Sequence, residues 1–198
     1  MRTLFAPGCA LRAYKPDLIS RIADFLREAD IIDGVYEICC KATESINDET
    51  TLIVCCPGCS HAFASLSGVV SLWKILSDTD FPFPDYHGQP MTIHDARRAR
   101  GRNSSEMQDS ARDLCRRMNI TLIEPERTKD RVPCCGGSSM DYDRRVQMAN
   151  SRASELPLED VVLYCTGCTR SFSVTRARPH HLLDLLFNEP TEGLSIKR

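Results

Sequence analysis

Cysteine carries the visible chemistry of this 198-residue chain, which contains eleven of them. An odd number cannot close completely into internal disulfides. Their placement says more than their number. Three adjacent pairs occur, Cys39-Cys40, Cys55-Cys56 and Cys134-Cys135, where random placement would give about half of one. Two Cys-x-x-Cys motifs occur as well, Cys56/Cys59 and Cys165/Cys168. Neighbouring cysteines rarely bond to each other, because so short a loop strains disulfide geometry. They can, however, offer two thiolates to one metal or cluster. The pattern points to metal–thiolate chemistry.

The cysteine segments are also copies of one another. Ile53-Val54-Cys55-Cys56-Pro57-Gly58-Cys59-Ser60-His61-Ala62-Phe63 aligns with Val162-Leu163-Tyr164-Cys165-Thr166-Gly167-Cys168-Thr169-Arg170-Ser171-Phe172. Each copy reads as a buried strand, a Cys-x-Gly-Cys turn and a helix with an inward aromatic. Gly58 and Gly167 are predicted to give the turns a sharp bend. Upstream, Cys39-Cys40 matches Cys134-Cys135-Gly136-Gly137. The two copies also begin alike. A short strand leads to a turn carrying Cys9 in one and His94-Asp95-Ala96-Arg97 in the other, so Arg97 stands where the first copy has Cys9. The comparison sorts the remaining cysteines. Cys55 lies opposite Tyr164 and reads as a small buried strand-end residue. Cys115 falls on the apolar face of a helical stretch with Met107, Ala111, Leu114 and Met118 and reads as core.

The elements that must position these turns alternate between helix and strand. Pro16 to Ala29 is an amphipathic helix with Leu18, Ile22, Phe25 and Leu26 inward and Pro16 in its first turn. Thr121 to Ile123 reads as a strand, Arg144 to Leu156 as a helix, and His180 to Phe187 as a terminal helix. Asp78 to Gly88, rich in Pro, aromatics and Asp, links the copies. The alternation predicts an α/β fold of two pseudo-repeated small units, 1–85 and 86–198, with largely parallel sheets. The cysteine turns then fall at the carboxyl ends of strands, where such sheets bind ligands.

As a set, these motifs resemble the cysteine-rich CCG domain of the heterodisulfide reductases. The same domain occurs in the iron–sulfur subunits of glycolate, lactate and anaerobic glycerol-3-phosphate oxidising systems. The matching residues are Cys9, Cys39, Cys40, Cys56 and Cys59 in the first half, and Cys134, Cys135, Gly136, Cys165 and Cys168 in the second. Pro7-Gly8-Cys9-Ala10-Leu11, His94-Asp95 and the closing His181-Leu182-Leu183-Asp184-Leu185-Leu186 are similar too. The resemblance implies an iron–sulfur cluster, of the non-cubane four-iron type, on the five-cysteine set. It departs from the family in three places. Lys41 replaces a glycine, the first unit is shortened between Cys40 and Cys56, and Arg97 removes the fifth ligand of the second unit. The four remaining thiolates of that unit suit zinc or a conventional four-iron cluster. His94 and Arg97 are candidates to act on this site from outside its ligand set.

Composition narrows the partners. With 25 basic and 27 acidic residues and a net charge of −2, no broad field favours nucleic acid. Arg97-Arg98-Ala99-Arg100 and Arg176-Ala177-Arg178 read as solvated faces. Apolar runs fall well short of the roughly 20 residues that span a bilayer, and Pro7-Gly8-Cys9 breaks the only apolar N-terminal run. A cytoplasmic location is expected. His61 is matched by Arg170, and His180 and His181 read as surface or capping residues. No phosphate loop, dinucleotide fingerprint or Ser-His-Asp set is present. The expected role is an iron–sulfur oxidoreductase subunit. A ferredoxin-like or flavoprotein subunit supplies it with electrons, and it acts on a thiol or disulfide. The alternatives are a non-catalytic zinc- or cluster-stabilised scaffold, and an iron–sulfur subunit of a glycolate- or lactate-type 2-hydroxy acid oxidising complex.

Overall fold

The computed structural model describes residues 2–38, 46, 49–100, 104–139 and 141–192. Cys39, Cys40 and Lys41 lie outside the described residues.

The inner strands end in runs buried on both faces, residues 4–6, 52–54, 91–93 and 161–163, as central strands of parallel sheets require. The first sheet comprises β1 (Arg2–Ala6), β2 (Gly34–Val35), β3 (Thr50–Val54) and β4 (Val69–Ser71). The second comprises β5 (Pro90–Ile93), β6 (Thr121–Ile123), β7 (Asp160–Leu163) and β8 (Arg178–His181). Their orders are β2-β1-β3-β4 and β6-β5-β7-β8, and every strand pair is parallel. One topology is thus used twice.

The helices follow in step: α1 (Cys9–Tyr14), α2 (Pro16–Glu28), α3 (Pro57–Ala62), α4 (Leu72–Ser77), α5 (Ser104–Arg117), α6 (Tyr142–Ser154), α7 (Thr166–Phe172) and α8 (Leu182–Leu186). In α2, Pro16 takes the first helical position, and Leu18, Ile19, Ile22, Ala23 and Leu26 are buried. Phe25, predicted inward, is only partly covered. On α5 the expected face is buried in full: Met107, Ala111, Leu114 and Cys115, with Met118 just beyond the helix end. α6 starts earlier than its apolar pattern suggests, because the Asp141 carboxylate accepts the Arg144 amide and caps it.

The terminal segment differs from expectation. His180 and His181 do not open a helix. They lie in β8, paired with β7 in the register Val162↔His180 and Leu163↔His181. The helix begins one residue later, with His181 Nδ1 accepting the Leu183 amide at 3.2 Å. Ser71 caps α4 in the same way, accepting the Trp73 amide at 3.2 Å.

Side-chain alternation gives the first sheet two apolar faces. Leu4, Ala6, Leu52 and Val54 pack with Tyr36, Cys59 and Phe63. Phe5 and Ile53 face a larger core that also holds Trp73, Leu114, Val162 and Leu182, so both sheets contribute to it. α4 packs against α5 across the junction. Among the described residues, no helix is long and apolar enough to cross a membrane.

Candidate metal centre

Each Cys-x-x-Cys is built as the first turn of a short helix. Cys56 precedes α3 in extended conformation and Pro57 takes its first helical position. Cys165 precedes α7 in the same way. The first helical bonds run from Ser60 N to Cys56 O at 3.0 Å and from Thr169 N to Cys165 O at 2.9 Å. Both turns follow the carboxyl ends of the equivalent strands β3 and β7.

The two turns meet. Cys56 and Cys165 are hydrogen-bonded through their side chains, and Cys165 is in turn bonded to Cys168. Cys168 Sγ lies 3.1 Å from Cys135 Sγ. No disulfide is formed among the described cysteines. The thiols of this row are shifted in opposite directions. The bond with Cys165 is the main influence on Cys56, pushing its thiol up to about 12. Bonds from Cys168 and then Cys56 hold Cys165 well below the usual thiol range. Cys168, hydrogen-bonded to Cys135 and Cys165, is pushed well above that range. Cys135 is held well below it, chiefly by Cys168, with His94 contributing. Two sulfurs of the row therefore favour the thiolate, the form in which cysteine binds metals.

Glycine brings the adjacent-cysteine turn to the same place. Gly136, at φ +78°, turns the chain after Cys135, and its amide donates to Cys134 Sγ at 3.4 Å. Gly137 lies against Gly167: a Cβ built on it would stand 2.7 Å from the Gly167 carbonyl oxygen. At Gly58 and Gly167 the chain turns from strand into helix without any conformation that only glycine adopts. Neither has a positive φ, because each sits inside the first turn of its helix.

In the second set, Cys135, Cys165 and Cys168 are gathered together, with partly buried Cys134 beside them through Gly136. In the first set, Cys56 and Cys59 share one helical turn. Gly8, at φ +81°, brings the start of α1 so close that a Cβ there would be 2.8 Å from Cys59 Sγ. Cys9, next to it, is exposed. It lines a cleft of about 640 Å³ together with Arg12, Arg27 and Glu37. Cys55 and Tyr164 are both buried at equivalent strand ends, and burial pushes the Cys55 thiol well up. The turn Arg97–Ala99 packs against α3 of the first half, and Arg97 is exposed.

His94 is 1% exposed. Its ring stands 5.0 Å from that of Phe172, and one of its nitrogens, Cys135 Sγ and Cys168 Sγ lie within 4.8 Å of one another. This His/Cys/Cys group could hold a metal ion. Two residues that sequence reasoning missed complete the surroundings. Arg152 Nε donates to His94 Nδ1 at 3.1 Å, and Arg112 clamps Asp95 with two bonds of 3.0 and 2.9 Å. Neither had a distinguishing signal in the sequence, where both are ordinary arginines on helices.

No model of a known protein family matches the chain, and no curated protein does. Among solved structures it is similar to an aspartate racemase of Picrophilus torridus, at 10% identity and a TM-score of 0.36, over 94% of this chain and 91% of that one. It is also similar to glutamate racemase isoform RacE1 from Bacillus anthracis, at 8% identity and a TM-score of 0.38, over 93% of this chain and 77% of that one. At these levels no functional argument passes from either racemase to this chain.

Proposed function

We propose that this chain is an iron–sulfur redox subunit that passes electrons to a thiol or disulfide substrate. The observation that carries the proposal is the sulfur row Cys135–Cys168–Cys165–Cys56, in which two copies of one motif meet without a disulfide. The donor set fits the cofactor: soft sulfurs from separate turns, two of them favouring the thiolate, at the ends of buried strands. Cys134, Cys135, Cys165 and Cys168 would hold one centre, and Cys9, Cys39, Cys40, Cys56 and Cys59 the other. An iron–sulfur cluster supplies one-electron chemistry at a potential set by its surroundings.

The chain's own groups prepare that chemistry. Hydrogen bonds along the row lower the thiols of Cys135 and Cys165, which favours the form that binds metal. The cleft beside Cys9, of a size that suits a small organic ligand, gives a substrate sulfur room near the first set. The sequence carries no dinucleotide fingerprint, so electrons come from a ferredoxin-like or flavoprotein partner.

The gathered sulfurs also suit a second reading, a zinc-stabilised scaffold, since four-cysteine ligation is common for structural zinc. Anaerobic purification followed by iron, sulfide and zinc analysis separates the two. A brown protein with about four irons per cluster and labile sulfide supports the redox reading. A colourless protein with stoichiometric zinc overturns it. Cys168→Ser should abolish loading of the second centre, whereas Cys115→Ser, in the core away from the row, should keep the metal and lose about 1–3 kcal/mol of stability.

A further inference from the structure

Arg152 is a long cationic side chain with only 1% of its surface exposed, on α6 and away from the cysteine turns in sequence. All of its donor nitrogens are engaged. Nη1 donates to Glu155 Oε2 at 3.0 Å, Nη2 to the Arg127 carbonyl at 2.9 Å, and Nε to His94 Nδ1 at 3.1 Å. The last bond fixes the histidine. A guanidinium only donates, so Nδ1 of His94 must be the acceptor and the ring proton of the neutral imidazole sits on Nε2.

That Nε2 is buried and has no hydrogen-bond partner among the described residues. Such an orphan is costly unless something is there to receive it. The groups gathered with the ring are the sulfurs of Cys135 and Cys168. The ring cannot easily turn away. Its backbone amide is tied to the Val162 carbonyl at 3.1 Å, and Phe172 lies against it.

A metal-binding histidine has the opposite arrangement. It gives one nitrogen's lone pair to the metal and donates the other N–H to a carbonyl or carboxylate. Here the position that such an acceptor would occupy is filled by a cation. We propose that Arg152 and His94 form a buried donor relay whose Nε2–H serves the Cys135–Cys168 sulfurs, making His94 a positioning residue of the second centre and not one of its metal ligands. An N–H directed at a ligand sulfur stabilises the more negative, reduced state and raises the potential. The part of this that concerns potential rests on the iron–sulfur reading above; the part that concerns the tautomer does not.

The test has two arms on the full chain. In the first, ¹⁵N-histidine-labelled protein, metal-free and reduced, is examined by long-range ¹H–¹⁵N correlation. The Nε2–H tautomer is expected for His94, and Arg152→Met should release it towards a mixture. A predominant Nδ1–H tautomer overturns the proposal, and this reading needs no variant that must fold. In the second, His94→Leu and His94→Gln are loaded with iron and sulfide. His94→Leu should keep the metal-to-protein ratio, lower the reduction potential and lose one weakly coupled exchangeable proton in pulsed electron paramagnetic resonance. His94→Gln, whose amide restores a donor at a similar reach, should recover part of both. Loss of metal in His94→Leu, or strong directly bonded nitrogen coupling in the parent protein, overturns the proposal. If the protein takes zinc in place of iron, the redox reading fails. The tautomer and the zinc content of His94→Leu then still decide the relay.

Discussion

Asp95 adjoins His94 but faces a different network, and its environment makes it an acid-sensitive residue. The carboxylate is fully buried. It accepts from Nη1 and Nη2 of Arg112, from Tyr164 Oη at 2.8 Å, from Thr128 Oγ1 at 2.9 Å and from the Lys129 amide at 2.7 Å. Burial alone would raise its pKa, but the bonds and charge of Arg112, with the other donors, bring it down from 3.8 to about 2. A carboxyl lowered on folding adds stability that is present above its unfolded value and lost as pH falls through the folded one. The window here runs from about pH 4 down to about pH 2, and the contribution is on the order of 2 kcal/mol. The consequence reaches the metal centre. Tyr164 precedes Cys165, and Lys129 starts the turn that leads to Cys134, so Asp95 ties both cysteine turns to the end of β5. Asp95→Asn should cost about 3 kcal/mol at neutral pH, since it leaves a buried guanidinium with less than its share of charge. It should also flatten the decline of thermal stability between pH 4 and pH 2. Parallel stability curves for the two proteins across that range would show that another group governs the acid response.

At the scale of elements, the second centre depends on a contact between two glycines. Gly137 and Gly167 press backbone against backbone, one from each cysteine turn. The contact is asymmetric. A Cβ on Gly137 would stand 2.7 Å from the Gly167 oxygen and 2.8 Å from its carbon, whereas one on Gly167 would meet nothing nearer than 3.5 Å. Backbone on one side and a helix start on the other leave little room to yield. Gly137→Ala should therefore push the Cys134-Cys135 turn off Cys168, cost about 1–3 kcal/mol and weaken metal loading at least tenfold. Gly167→Ala should leave both close to wild type, and equal loss in the two variants would mean that the contact does not hold the turns together. This asymmetry was not legible in the sequence, where Gly58 and Gly167 look like paired bending points; conformational freedom is used instead at Gly8 and Gly136.

Other features are easier to read. Helices α2 and α5 are long enough for their apolar spacing to repeat, and the parallel α/β architecture follows from buried runs such as Leu52-Ile53-Val54. The meeting of Cys135, Cys165 and Cys168 is foreshadowed by their repeated motif. By contrast, β2, β4 and β8 are two to four residues long, too short to show a period, and His180-His181 consequently reads as the start of a helix. The bond between Arg152 and His94 joins residues 58 apart in sequence. Such a pairing exists only once α6 has docked beside β5, and no local pattern encodes it.

The whole molecule repeats its topology without dividing its core. Phe5, Leu18, Ile53 and Trp73 belong to the same buried cluster as Met91, Leu114, Val162 and Leu182. Bonds outside the core cross the junction as well: Tyr14 Oη donates to Asp184 Oδ2 at 2.7 Å, and Lys15 Nζ to Glu189 Oε2 at 3.3 Å. The cysteine row spans the same junction through Cys56 and Cys165. Separating the halves would expose apolar surface on both, at roughly 25 cal/mol for each Å². The two units should accordingly unfold together. Trp73, the chain's one tryptophan, is fully buried on α4 beside α5, so its fluorescence reports on the junction while far-ultraviolet circular dichroism reports on all helices. In denaturant titrations of reduced, metal-free protein the two signals should trace one transition with a common midpoint. Loss of half the dichroism before the Trp73 emission moves would instead show units that fold on their own and only adhere. Cys56 and Cys165 would then be brought together by docking, and metal loading of the two sets would become independent of each other.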